Sequence, residues 1–171
     1  IEEVEDRFEG TDRAQFRRIV RYLKRWKDEN FSSDGNQAPI SVGLTVAAYR
    51  WMTNEYFDDA KTEPNDHSSL LGLVEQMLSK YRGPFNDRLK VKLPVEPHND
   101  LFGEMTDQQQ EKLKERLETL RDALQEVRDE PDPHSACQTL EKVFGDDFPV
   151  PEKEETAQKQ DKPYASSSTA A

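Results

Sequence analysis

Apolar residues in this chain recur every three or four positions in five separate stretches. Phe16, Ile19, Val20, Leu23 and Trp26 mark residues 13–29, and Leu44, Ala47, Ala48, Trp51 and Met52 mark 41–57. Leu70, Leu71, Val74, Met77, Leu78 and Tyr81 mark 67–82, Leu113, Leu117, Leu120, Leu124 and Val127 mark 107–130, and Cys137, Leu140, Val143 and Phe144 mark 134–144. Such spacing gives a helix one apolar stripe, and that stripe must be covered by a neighbouring element. The expected fold is therefore mainly α, a bundle of about five helices with at most one short strand. The strand candidate is "RLKVKL" at 88–93, where polar and apolar residues alternate.

Local chemistry punctuates the stripes. "NFSSDGNQAPI" at 30–40 has loop composition, and Ser41 after it is an N-cap residue type. Residues 58–66 read as a polar linker and "PVEPHNDLFG" at 94–103 as a proline-punctuated loop. Thr106 followed by Gln109 has the capping-box spacing, and Gly145 suits a helix stop. From Pro151 the apolar period stops, so 151–171 is expected to be a disordered tail. In 171 residues, hydrophobic side chains make up 33% and charged ones 35%, which fits one modest core at 13–150 diluted by polar segments. The acidic stretch 1–12 reads as a lead-in, and an opening on Ile1 suggests a piece of a longer chain.

Stand-alone catalytic motifs find little support. His67, His98 and His134 sit in separate contexts, without His-x-x-x-His or Cys-x-x-Cys spacing for zinc. Cys137 lies on an apolar stripe and reads as a structural thiol; a lone cysteine fits a reducing compartment. Glycine-rich phosphate loops and Gly-x-Ser-x-Gly elbows are missing. Asp58-Asp59 and Asp146-Asp147 read as acidic surface. The formal net charge of −11 argues against general nucleic-acid binding, and no apolar run approaches the roughly 20 residues of a membrane-spanning helix.

One helix departs from that acidic average. Arg13, Arg17, Arg18, Arg21, Lys24, Arg25 and Lys27 fall within 13–27, where no acid stands. At about 100° per residue, Arg13, Arg17, Arg21 and Lys24 share a sector beside the apolar face. Lys24 is placed to lay its stem over the core and its ammonium in a cleft. A helix opening at Ser41 would add free backbone N–H groups, which suit phosphate. An ordinary solvated face and a plain N-cap are the alternatives.

"RRIVRYLKRWKDE", "APISVGLTVAA", "RLKVKLPVEPHNDLF" and "KVFGDDFPVP", in that order, resemble the C-terminal helical lobe of bacterial cyclic-oligonucleotide synthases, the CD-NTases. These are similar to cyclic GMP–AMP synthase and oligoadenylate synthetase. The resemblance spans about 13–150. It implies a polymerase-beta-like nucleotidyltransferase whose N-terminal catalytic lobe carries a Gly-Ser turn and the carboxylates for two Mg²⁺. This chain has no Gly-Ser, so that lobe is absent and catalytic and metal roles carry over to no residue here.

The resemblance assigns Lys24 and Ser41 to the triphosphate of the donor ATP or GTP, with Arg21 and Arg17 supplementing the field. Asn99-Asp100 would approach a base. It further implies cyclic di- or oligonucleotide messengers in antiphage (CBASS) signalling in the bacterial cytoplasm. An E1/E2-like ligase and a deconjugating protease would act on the tail through the Ala171 carboxylate. The competing reading is a non-enzymatic helical interaction module that docks an acidic partner on the basic stripe, with the tail as tether.

Overall fold

The computed structural model describes residues 7–31, 38–81 and 87–153. The start of the lead-in and the tail from 154, including Ala171, lie outside the described residues. Within them the chain is mainly helical, with α1 Gly10–Asn30, α2 Ser41–Trp51, α3 Asp66–Ser79, α4 Asp107–Asp129 and α5 Pro133–Phe144. There is no sheet among the described residues, only isolated antiparallel bridges at Tyr56–Pro64 and Lys92–Asp100. No described helix is long and apolar enough to cross a membrane.

The apolar stripes meet as their spacing requires. α1 packs on α3 and α5, and α4 packs on the same two, so these four helices close a ring; α2 covers α1 and α3 from one side. Ile19, Leu23 and Trp26 of α1, Leu73, Val74 and Met77 of α3, and Leu113, Leu117 and Leu120 of α4 have no exposed surface. Each such side chain contributes about 1.5–3 kcal/mol of burial.

Several helix ends follow the local code. Thr106 Oγ1 accepts from the Gln109 N–H at 3.2 Å, and Gln109 Oε1 accepts from the Thr106 N–H at 2.7 Å, which completes the capping box of α4. Asp132 caps α5, accepting from the His134 and Ser135 backbone N–H groups, with Pro133 in the first turn. Gly145 ends α5 at φ +91°, where a side chain is strained. A Cβ there would also stand 2.4 Å from the Glu29 carboxyl carbon.

Three local expectations change. First, α1 reaches back into the expected lead-in. Phe8 is buried and stacks on Phe16 with ring centroids 4.8 Å apart. Second, α2 stops at Trp51 instead of continuing to Phe57. The segment that follows is held by Gln15, fully buried on α1. Its Nε2 donates to the Glu55 carbonyl at 3.0 Å, and its Oε1 accepts from Asn54 Nδ2 at 2.7 Å. A buried amide without partners costs about 1–3 kcal/mol, and the path of the chain at 54–55 satisfies this one.

Third, 88–93 is extended but pairs with no strand. Leu89 and Val91 are buried and Lys90 and Lys92 exposed, so the period of two is real. Its backbone groups are shared between side chains and the turn at 99–101, where the Leu101 N–H donates to the Val91 carbonyl at 2.8 Å. Gln110, buried on α4, accepts from the Leu89 N–H at 3.0 Å and donates to the Leu89 carbonyl at 3.2 Å.

Thr106→Ala should lower stability by about 1 kcal/mol, a melting shift of roughly 2–4 °C for a chain of this size, readable by circular dichroism. The Tyr56 hydroxyl donates to Asp12, and that bond, with burial, pushes the phenol up to about 12. The raised value means the neutral phenol is favoured by folding. Its contribution is whole below the ordinary phenol pKa of about 10 and is lost as pH rises through about 12. Denaturant titrations across that window should show a steeper loss for the unaltered chain than for Tyr56→Phe.

Candidate functional site

The basic residues of α1 divide by their angle on the helix. At about 100° per residue, Arg18 and Arg25 sit on the edge facing α3 and α5, and Lys27 on the opposite edge between Phe16 and Val20. Arg17, Arg21 and Lys24 point outward between them, and all three are exposed.

The acids missing from 13–27 arrive from elsewhere. Arg18 forms a two-pronged pair with Asp66 of α3, Nε to Oδ2 at 2.6 Å and Nη2 to Oδ1 at 2.8 Å. This bond holds the Arg18 guanidinium above its ordinary pKa. Arg25 reaches Glu29 at 3.0 Å and Asp147 at 3.2 Å, and donates from Nε to the Phe144 carbonyl at 2.7 Å. These residues fasten the ring. Arg21 and Lys24 form no ion pair among the described residues.

At the other edge, the lysine that meets Ser41 is Lys27. Its ammonium donates to Ser41 Oγ at 2.9 Å and pairs with Asp28 at 3.1 Å. Lys24, one turn earlier and exposed, stands on the outer face beside it. Ser41 itself is the first residue of α2 and not its cap. The cap position is Ile40, whose side chain makes no cap bond. Gly43 lets this first turn press on Phe102, because a Cβ there would come within 2.2 Å of the ring. A lysine ammonium, a serine hydroxyl and a helix start without a capping side chain therefore share one corner. That combination suits an anion such as phosphate.

Asp100 has other duties. Its Oδ1 accepts from the Val91 N–H at 2.9 Å and the Phe102 N–H at 3.1 Å, and the Asn99 carbonyl accepts from the Leu93 N–H at 3.0 Å. The pair thus shapes the turn before α4. Cys137 is half-buried, and burial raises its thiol above the ordinary range. Among the described residues no three His, Cys, Asp or Glu side chains gather where they could hold a metal ion.

Of the residues singled out from sequence, the structure places Lys24, Arg21 and Arg17 on one outer face, Ser41 at the neighbouring corner and Asp100 in the turn behind Phe102. Lys27 was missed as a Ser41 partner. Its angle, flanked by two buried positions, was the available signal. No family model matches the chain, and no curated protein matches it.

Asp100→Ala removes the acceptor of two backbone N–H groups. It should cost about 1–3 kcal/mol, seen as a lower melting temperature. An unchanged melt would separate Asp100 from this structural duty.

Proposed function

We propose that the chain is the C-terminal helical lobe of a bacterial cyclic-oligonucleotide synthase. In this reading it holds the donor triphosphate at the corner of α1 and α2, opposite a catalytic lobe that lies outside this sequence and binds Mg²⁺. The observation that carries the reading is the Lys27–Ser41 contact of 2.9 Å beside a helix start without a side-chain cap. The ordered sequence resemblance supplies the reaction class. Lys24, Arg21 and Arg17 add positive potential along the approach, and a lysine's mobile point charge suits a triphosphate that leaves as pyrophosphate. Under the same reading Ala171 is the carboxylate that an E1/E2-like ligase joins to other molecules and a protease releases.

The test is made on the parent protein with Mg²⁺ and mixed NTPs, with products identified by mass spectrometry. Lys24→Ala and Lys27→Ala should each raise the apparent KM for NTP, by roughly 10- to 150-fold for a lost charge-assisted contact, and Ser41→Ala by less. Unchanged KM in both lysine variants would overturn the triphosphate assignment. A parent frame without Gly-Ser and Asp-x-Asp or Asp-x-Glu upstream would overturn the enzyme reading.

One observation favours a second reading. The exposed face of Arg17, Arg21 and Lys24 lies along the outside of α1, where an interaction module would dock an acidic protein. Charge reversal at Arg21 and Lys24 that abolishes such docking, in a parent making no nucleotide product, would select it.

A further inference from the structure

All four ring helices supply a wall of a cavity of about 170 Å³ lined by Tyr22, Leu70, Leu124, Leu140 and Phe144, with Phe148 beyond α5 completing it. The lining is apolar and largely aromatic. Phe144 stacks on Phe148 at 5.8 Å between centroids and meets the Tyr22 ring edge-on at 6.3 Å. The polar groups at the rim are already engaged, Asp66 by Arg18 and His67 Nε2 by the Leu124 carbonyl at 2.8 Å. Ligand sites for drug-sized molecules and cofactors run to roughly 300–1,000 Å³. This space is smaller and matches a single ring better than a whole ligand.

The chain itself carries one candidate of that kind. Beyond Lys153, the segment 154–171 contains one aromatic residue, Tyr164, and its other apolar residues are alanines. Pro163 before it restricts the backbone and lowers the entropy lost on docking. Reach is not limiting. His134 Nδ1 lies 2.6 Å from the Pro151 carbonyl, which ties the chain at the start of α5. The 12 residues of α5 span about 18 Å. From Lys153 to Tyr164 there are 11 steps (164 − 153), up to about 36–40 Å when extended.

We propose that this cavity receives Tyr164, so that residues 165–171 are presented from the end of the bundle where α1 and α5 meet. The inference uses the cavity and the composition of the C-terminal segment, and it stands apart from the nucleotide reaction proposed above.

Methyl-labelled NMR of the full chain, compared with Tyr164→Ala and Tyr164→Phe, tests it. An aromatic ring in the cavity displaces the Leu70, Leu124 and Leu140 methyl signals. Tyr164→Ala should shift all three, Tyr164→Phe should leave them near their original positions, and dilution should change neither result. Identical spectra for the unaltered chain and Tyr164→Ala would overturn the proposal. Shifts that vanish on dilution would overturn it too, because the occupant would then belong to a second copy.

Discussion

The face of α1 that carries Ile19, Leu23 and Trp26 is buried against α2, α3 and α5, and it organises the other helices. Magnitudes show why this face governs and the charges do not. Each fully buried apolar side chain is worth about 1.5–3 kcal/mol, whereas an exposed pair such as Arg25–Glu29 is worth about 0–1 kcal/mol. Once burial has set the rotation of α1, the angle of every basic residue follows. Lys27 is delivered to α2, Arg18 to α3 and Arg25 to α5, while Arg17, Arg21 and Lys24 lie on the exposed outer face.

Two buried amides do for the loops what that face does for the helices. Gln15 and Gln110 sit inside the bundle, where an unsatisfied amide would be expensive, and each draws in a segment that has no regular partner. The chain at 54–55 and the extended run at 88–91 owe their paths to these side chains. The core is thus apolar in bulk, and its connections are positioned by hydrogen bonds from a few buried helix residues, among them Ser69, whose Oγ accepts from the Glu55 N–H at 2.9 Å.

Legibility from sequence followed the range of the interactions. The apolar periods located all five helices, and Thr106–Gln109 and Gly145 marked ends whose chemistry is contained within a few residues. The end of α2 was misplaced because the groups that hold the chain after it, Gln15 and Ser69, are distant in sequence, Gln15 by about 40 positions, and are ordinary polar letters there. The alternation at 88–93 reported correctly which residues face inward. It could not report that Gln110, Asp100 and the turn at 99–101 would take the backbone groups. At the candidate site, Ser41 stood out by its position before an apolar run. The lysine beside it depended on how α1 and α2 cross, which no spacing within one helix encodes.

The ring closes through α1 and α5, where Arg25 reaches the Phe144 carbonyl across 119 positions and Asn30 reaches the Val143 carbonyl across 113. The α3–α4 and α4–α5 contacts join elements that follow one another along the chain, and α1–α3 skips only α2, with Arg18 and Asp66 48 positions apart. The longest loop that the ring closes is therefore the one at the α1–α5 seam. Closing that seam is what turns a row of packed helices into a ring. Because the helices beside that seam also wall the aromatic cavity, the cavity exists only in the finished bundle.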